Sequence, residues 1–238
     1  MERLQKAIAN AGYCSRRKAE ELIQKNQVMV NGQIINELGF KVLPNDIITI
    51  EGKTLNKQKK EYILLYKPRG VVTTTKDEYN RKTVLDIIDS DSRVYPVGRL
   101  DYDTSGILIL TNDGELANLL MHPKCEIDKV YVTKVKGLVN KDEIIKLRNG
   151  VYIDGKKTSK CGARIISYDK KTDTSIVELT IHEGRNHQVK KMMSAIGHEV
   201  LKLKRERLSF LTLKGLKSGE YRHLNIKEVK KLYNEAKK

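Results

Sequence analysis

Short apolar segments separated by polar turns make up the first part of the chain. Over residues 2–11 the apolar side chains recur at helical spacing, and Gly12 follows where such a helix would end. Ser15 stands at an N-cap position ahead of Arg16-Arg17-Lys18 and a further amphipathic stretch. The pattern therefore predicts two consecutive helices, the second of which begins with three cations.

A predicted hairpin follows the two helices. Val28-Met29-Val30 and Ile34-Ile35 are predicted strands, and Asn31-Gly32 between them accepts the positive φ angles of a type I′ turn. Another apolar strand is predicted at Ile47–Ile50. Beyond it, residues 54–60 are polar and without periodicity, which is typical of a linker.

We accordingly predict a small N-terminal domain at residues 1–52, a linker at residues 53–60 and a larger domain at residues 61–238. The larger domain mixes strand and helix periodicities, so it is predicted to be α+β, with a mostly antiparallel mixed sheet flanked by helices. Its strands are predicted at Tyr62–Tyr66, Ile107–Thr111, Lys129–Lys136, Ala163–Tyr168, Thr174–Ile181 and Glu199–Lys204. Its helices are predicted at Gly114–Met121, Lys141–Asn149, His187–Ile196 and Lys227–Lys237.

The charge of the chain indicates a polyanionic partner. Lys and Arg number 46 against 30 Asp and Glu, which gives a net charge of +16, and the excess is present both before and after Lys60. A solvated lysine-rich surface is the alternative interpretation. Cations in the first turn of a helix oppose its dipole, whereas a phosphate would be bound there by the cations and the free amides together. We predict that Ser15, Arg16, Arg17 and Lys18 contact nucleic acid.

Neither a metal site nor a membrane segment is indicated by the sequence. Cys14, Cys125 and Cys161 lie far apart and form no C-x-x-C pair, so no zinc site or disulfide framework is expected. No apolar run approaches the roughly 18 residues that would cross a bilayer. We expect a cytoplasmic protein that does not bind membranes.

The most informative stretch, Gly98–Gly114, places a polar loop before the apolar run Ile107–Leu110. Asp101 would be positioned by this loop at the mouth of a buried strand. A calcium loop is disfavoured because its twelfth ligand would be Asn112 instead of Glu. Two alternatives remain open at this point, a metal-binding Asp-x-Asp motif formed with Asp103 and a carboxylate that only caps a turn.

A second polar segment, Glu183–Met192, leads into a basic amphipathic helix. A zinc protease motif is excluded because Asn186 stands where the H-E-x-x-H spacing requires its second His. Arg185 precedes the predicted helix, and Lys190 and Lys191 lie within it. We predict that these two lysines bind nucleic acid phosphates.

These segments, in this order, resemble one family. Gly98-Arg99-Leu100-Asp101, Lys129-Val130-Tyr131 and Glu183–Met192, behind the basic N-terminal module, resemble the RsuA/RluB family of ribosomal RNA pseudouridine synthases. The N-terminal module is similar to the small RNA-binding domain first seen in ribosomal protein S-four. The resemblance covers essentially the whole chain and implies a pseudouridine synthase catalytic domain after the linker.

The resemblance implies roles for the residues at matching positions. Asp101 would be the catalytic aspartate, Tyr131 would stack on the target uracil, and Arg185 would pair with Asp101. Arg99 and Leu203 would belong to the substrate pocket. A carboxylate suits such a reaction because, with a reference pKa of about 3.9, it is ionised at neutral pH.

The implied reaction breaks the bond between ribose and base nitrogen, turns the uracil and rejoins it through carbon 5. It needs no cofactor or metal, so none is expected. We expect the protein to be a monomer. Its expected substrate is ribosomal RNA, either free or in an assembly intermediate. Met121-His122-Pro123 and Gly150-Val151 resemble the large-subunit group, and Gly219–Arg222 resembles the small-subunit group. We favour 23S rRNA, with 16S rRNA and a non-catalytic RNA-binding assembly factor as alternatives.

Overall fold

The computed structural model describes residues 1–122 and 124–237. Pro123, which belongs to the motif compared with the large-subunit group, and Lys238, the end of the predicted larger domain, lie outside the described residues. The chain divides into two compact units. Unit 1 comprises Met1–Glu61, Ser90–Val94 and Thr111–Gly114, and unit 2 contains the other described residues.

The elements below are those of the described residues. The helices are α1 (Leu4–Asn10), α2 (Arg16–Gln24), α3 (Gly114–Met121), α4 (Lys141–Arg148), α5 (Gln188–Ala195) and α6 (Ile226–Ala236), with a short 3-10 turn at Leu85–Ile87. The strands are β1 (Glu2–Arg3), β2 (Val28–Val30), β3 (Gln33–Ile34), β4 (Lys41–Val42), β5 (Ile48–Ile50), β6 (Lys53–Thr54), β7 (Tyr62–Lys67), β8 (Tyr95–Val97), β9 (Thr104–Thr111), β10 (Lys129–Lys136), β11 (Tyr152–Ile153), β12 (Lys156–Lys157), β13 (Gly162–Asp169), β14 (Thr174–Ile181), β15 (Val200–Leu208), β16 (Leu211–Thr212) and β17 (Tyr221–His223).

Unit 1 packs α1 and α2 with short strands around an apolar core that includes Leu4, Ile8 and Ile23. Strands β3, β2, β5 and β6 form a four-stranded sheet in that order. The predicted hairpin turn is confirmed, because Asn31 and Gly32 have φ angles of 51° and 81°. The start of the predicted linker is different from expectation, since β6 pairs with β5 and is part of this sheet.

Unit 2 is built on a nine-stranded mixed sheet, as predicted for the larger domain. The main strand order is β13-β14-β10-β15-β9-β7-β17, with β16 beside β15 and β8 beside β9. The β13–β14, β14–β10, β10–β15 and β7–β17 pairs are antiparallel, whereas β15 and β9 run parallel. The order makes β10, β15 and β9 neighbours, so side chains that are distant in the sequence lie side by side.

Helices cover two apolar clusters of unit 2. One cluster contains buried residues of α3 and α6 with Ile107 and Ile109 of β9. The other contains buried residues of α4 and α5 together with Leu203 of β15. Within residues 1–122 and 124–237, none of the helices combines the length and apolar composition that a membrane span requires.

The start of β9 was not predicted correctly. Its first three residues, Thr104-Ser105-Gly106, pair in parallel with Leu203–Arg205, so the strand begins three residues before the apolar run. Gly106 permits the close approach, because a Cβ on this residue, whose φ is 125°, would lie 2.3 Å from the Arg205 carbonyl oxygen. A polar start followed by glycine carries no strand signal, and only the partner strand explains it.

Candidate active site

A cavity of about 1150 Å³ lies in unit 2. Its walls come from the loop ahead of β9, from β10, from the segment ahead of α5 and from β15. Small-molecule pockets are typically about 300–1,000 Å³, so this volume is sufficient for a nucleotide with part of its flanking backbone. Asp101, Tyr131 and Arg185, the three residues predicted to be catalytic, all line it.

The main chain around Asp101 is fixed by a buried lysine. Lys67, at the end of β7, is fully buried, and its Nζ donates to the carbonyl oxygens of Pro68, Asp101 and Thr104 at 3.0, 3.0 and 2.9 Å. Burial lowers the pKa of Lys67 to about 8, against the opposing influence of the Asp101 and Asp103 carboxylates. The ammonium therefore gathers three carbonyl oxygens and defines the course of the loop that carries Asp101.

The Asp101 carboxylate pairs with a lysine of α5 and lies near the imidazole of the residue that caps this helix. Lys190 Nζ lies 3.1 Å from Asp101 Oδ2 and 2.7 Å from Asp103 Oδ1, and His187 Nε2 lies 3.8 Å from Asp101 Oδ1. Burial lowers the pKa of Lys190, but the hydrogen bonds to Asp103 and Asp101 outweigh it and leave this pKa raised. The hydrogen bond from Lys190 in turn lowers the pKa of Asp103. Lys190 thus bridges the two carboxylates as a charged ammonium.

The prediction that Arg185 pairs with Asp101 is wrong. Its Nη1 and Nη2 donate to the carbonyl oxygens of Lys156 and Lys157 at 3.0 and 2.7 Å, and its Nε lies 3.2 Å from Glu183 Oε2. The guanidinium is therefore engaged with the β11–β12 hairpin. The physical reason is helix geometry: Arg185 precedes α5, whereas Lys190 lies one turn after His187 and so on the same side of the helix as that residue.

Tyr131 lies beside a buried arginine that no sequence pattern indicated. In the β10–β15 register Tyr131 is opposite Arg205, and Arg205 Nη1 donates to the Tyr131 hydroxyl at 3.5 Å. Arg205 Nε and Nη2 donate to the Ile107 carbonyl at 2.8 and 2.6 Å. Lys129, two residues before Tyr131 and thus on the same side of β10, also lines the cavity.

Of the other residues predicted for the pocket and for α5, one lines the cavity and two have partners elsewhere. Arg99 is exposed and lines the cavity, as expected of a pocket residue. Leu203 does not line it, because this side chain is buried in the apolar cluster with Val189 and Met193. Lys191, predicted to bind RNA, is paired with Asp154 at 2.5 Å.

Unit 1 presents the predicted cationic helix terminus. Ser15 caps α2 by accepting a hydrogen bond from the Lys18 amide at 3.2 Å. Lys18 pairs with Glu21 at 2.8 Å, whereas Arg16 and Arg17 are exposed and form no ion pair within the described part of the chain. The two arginines therefore keep their full charge available to an anion.

Two signals in the sequence could have identified the missed residues. Lys67 directly follows the apolar strand Tyr62–Tyr66, and a lysine that ends a buried strand needs partners for its charge. The helical spacing from His187 to Lys190 indicates a shared face. Arg205 has no comparable signal, because it lies in the charged run Lys204–Arg207, which is equally typical of a solvated strand.

The fold and the cavity are those of a class of RNA-modifying isomerases. Residues 61–195 match the family model for RNA pseudouridylate synthase, and residues 2–48 match that for the S4 domain. The chain belongs to the RNA pseudouridine synthase family and is an enzyme of that isomerase class.

Individual relatives resemble the chain over nearly its whole length. It is 55% identical to ribosomal large subunit pseudouridine synthase B of Bacillus subtilis, covering 98% of this chain and 96% of the relative. It is 42% identical to an uncharacterized RNA pseudouridine synthase of Aquifex aeolicus, covering 97% and 93%. A crystal structure of a pseudouridylate synthase superposes with a TM-score of 0.70 at 30% identity, covering 98% and 100%.

Proposed function

We propose that this enzyme converts a specific uridine of 23S rRNA to pseudouridine, with Asp101 as the catalytic carboxylate and Tyr131 stacked on the uracil. The choice of the large-subunit RNA is supported by the similarity to ribosomal large subunit pseudouridine synthase B. The enzyme acts as a cytoplasmic monomer on the RNA or on an assembly intermediate. Arg185 belongs to the pocket wall in this proposal and not to the ion pair of Asp101.

The observation that carries the proposal is the placement of Asp101. Lys67 donates a hydrogen bond to its carbonyl oxygen, and Lys190 pairs with its carboxylate at 3.1 Å. Both the main chain and the carboxylate of Asp101 are therefore held in place at a large cavity. A carboxylate that only capped a turn would not need a cation on its side chain and another on its main chain. A metal-binding Asp-x-Asp motif is disfavoured because Lys190 occupies the space between Asp101 and Asp103.

The target uridine must leave its stack to enter the cavity, which costs a few kcal/mol and less in a loop than in a duplex. Phosphate contacts must supply the affinity that compensates for this cost. The exposed Arg16 and Arg17 at the N-terminus of α2 are suited to this task, because their charges are free of carboxylate partners in the described residues. Recognition then depends on the shape of the RNA and on unpaired bases.

The test is chemical mapping of pseudouridines in 23S and 16S rRNA from cells with the gene intact, deleted and complemented. Complementation uses the wild-type gene, Asp101→Asn, and Asp142→Asn as a matched control at an exposed carboxylate of α4. We expect one 23S site to disappear on deletion and to return with the wild type and with Asp142→Asn but not with Asp101→Asn.

The other outcomes separate the alternatives. Loss of a 16S site instead would assign the enzyme to the small subunit. Survival of every site after deletion, or full restoration by Asp101→Asn, would overturn the proposed reaction and favour a non-catalytic assembly factor.

A further inference from the structure

Arg205 is a buried cation without a carboxylate partner in the part of the chain that the structure describes. The residue is only 4% exposed, and its guanidinium donates hydrogen bonds to the Ile107 carbonyl and the Tyr131 hydroxyl. Buried arginines are rare unless paired, and a guanidinium has five N–H groups. The hydrogen bonds to Ile107 and Tyr131 use three of them. Two N–H groups remain on a side chain that lines the cavity.

Lys129 adds a second cation on the same wall. Its Nζ donates to the carbonyl oxygens of Ile127 and His182 at 3.1 and 2.7 Å, and an ammonium has a third N–H. Burial, and then the charge of Arg205, lower the pKa of Lys129 to about 8. The two cations flank Tyr131, one along β10 and one across on β15. Arg205 is buried and Lys129 is half-buried. Two such cations, whose charges repel each other, are stabilised by an anion that contacts both.

The reaction generates such an anion on the base. When the bond from ribose C1′ to uracil N1 breaks, its electron pair leaves with the base, and the negative charge is shared by N1, O2 and O4. After the ring turns, the pair on C5 forms the new bond to C1′. The proton on C5 is then lost and N1 gains one, so the product has the atoms of the substrate.

We propose that Arg205, assisted by Lys129, binds the oxygen atoms of the detached uracil and stabilises its anionic form. This inference rests on the proposed function. It makes Arg205 a catalytic residue that complements Asp101, with the carboxylate acting on one side of the broken bond and the guanidinium on the other. Backbone phosphate is the other anion of the substrate, but phosphates follow the strand outside, whereas Arg205 is buried beside the ring that stacks on the base.

A purely structural role is the competing explanation, because Arg205 also joins β15 to β9 through the Ile107 carbonyl. The two roles respond differently to the acidity of the base. Fluorine on C5 withdraws electrons and stabilises the uracil anion, so an enzyme that lacks the anion-stabilising group benefits most from it. A structural defect lowers the rates on both substrates by the same factor.

The experiment uses transcripts of the mapped rRNA region made with UTP or with 5-fluoro-UTP. The measured quantity is the single-turnover rate at which the N-linked nucleotide disappears, determined by digestion and chromatography. It is compared for the wild type, Arg205→Gln, Arg205→Lys and Lys129→Met. Arg207→Gln is the matched control, because Arg207 is an exposed arginine of the same strand and does not line this cavity. Urea unfolding of each variant measures its stability.

We expect the rate of Arg205→Gln on the uridine transcript to fall about 100- to 1000-fold, as on removal of an oxyanion donor. On the 5-fluorouridine transcript the fall in rate should be smaller, by a factor on the order of ten. Arg205→Lys and Lys129→Met should show the same selectivity with smaller losses, and Arg207→Gln should show none. Equal losses on both substrates would overturn the inference in favour of a structural or phosphate-binding role. A wild type inactive on the uridine transcript would instead refute the proposed function.

Discussion

Replacement of Lys67 by Met tests whether a single ammonium fixes the loop that carries Asp101. Methionine is unbranched and similar in length, so it fills most of the space without the charge. The change leaves the carbonyl oxygens of Pro68, Asp101 and Thr104 without this donor. Each unpaired buried acceptor costs about 1–3 kcal/mol.

The cost of losing these hydrogen bonds is partly offset, because a charge is no longer buried. The pKa of Lys67 falls from 10.5 to about 8, and at 1.36 kcal/mol for each unit this corresponds to about 3 kcal/mol at neutral pH. The Asp101 oxygen keeps the Thr104 amide as a donor. With a cost of about 4 kcal/mol for the other two carbonyls and a relief of about 3 kcal/mol, we expect Lys67→Met to be destabilised by about 1 kcal/mol at pH 7.

The pH dependence of this difference has a definite sign. Between about pH 8 and 10.5 the folded chain releases the Lys67 proton while the unfolded chain retains it, so the unfolded state binds more protons and wild-type stability rises with pH. The variant lacks this contribution. The difference between wild type and Lys67→Met should therefore grow by about 2 kcal/mol from pH 7 to pH 9.5. Lys129 titrates in the same window but is present in both proteins.

The assay is urea unfolding followed by circular dichroism at the two pH values. Amide hydrogen exchange of β9 peptides at pH 7 assigns the affected transition to unit 2. Lys76→Met, at an exposed lysine of the same unit, is the control and should change stability by no more than about 0.5 kcal/mol. A Lys67→Met protein with wild-type stability, or a difference that shrinks as the pH rises, would refute this account of the loop.

Two further predictions concern the carboxylate of Asp101, which we propose to be catalytic, and the RNA. Lys190→Met removes the cation between Asp101 and Asp103, and the single-turnover rate should fall about 100-fold because the carboxylate is no longer positioned, whereas Lys190→Arg should retain most activity. The double change Arg16→Ala/Arg17→Ala should weaken RNA binding in filter-binding titrations. It should also reduce the salt slope by about one for each phosphate that these arginines bind in the wild type.

Each of these predictions has a charge-matched control. For Lys190 the control is Lys146→Met, an exposed lysine of α4, and an equal loss of activity in both variants would contradict the positioning role. For the two arginines the control is Lys25→Ala/Lys53→Ala, which removes two exposed cations elsewhere in unit 1. Unchanged affinity after removal of Arg16 and Arg17 would exclude a phosphate-binding role for this helix terminus.

Local signals in the sequence were sufficient for the parts of the fold that depend on local physics. Asn31-Gly32 specifies its turn through backbone preference, and Ser15 specifies the start of α2 through a hydrogen bond three residues away. The early start of β9 at Thr104 depends instead on a partner strand almost one hundred residues later. No local pattern contains that information.

The sequence indicated some of the residues that line the cavity but not their pairing. The motifs around Asp101 and Tyr131 indicate both residues, and the structure places both in one cavity. The pairing of Asp101 with Arg185 was wrong because the direction of a side chain ahead of a helix cannot be deduced from its position in the sequence. The pairing with Lys190 was missed, although its helical spacing from His187 placed the two residues on one face, because the sequence does not show which loop faces that side of the helix.

The arrangement around Lys67 orders the loop that carries Asp101 when the chain folds. Its ammonium connects β7, the Asp101 loop and the first residue of β9, so that loop becomes ordered cooperatively with the sheet and does not await the substrate. The conformational entropy of the loop is therefore lost once, when the chain folds. On the proposed function, we therefore expect that the free energy of RNA association need not also order this loop and can instead drive a nucleotide out of its stack.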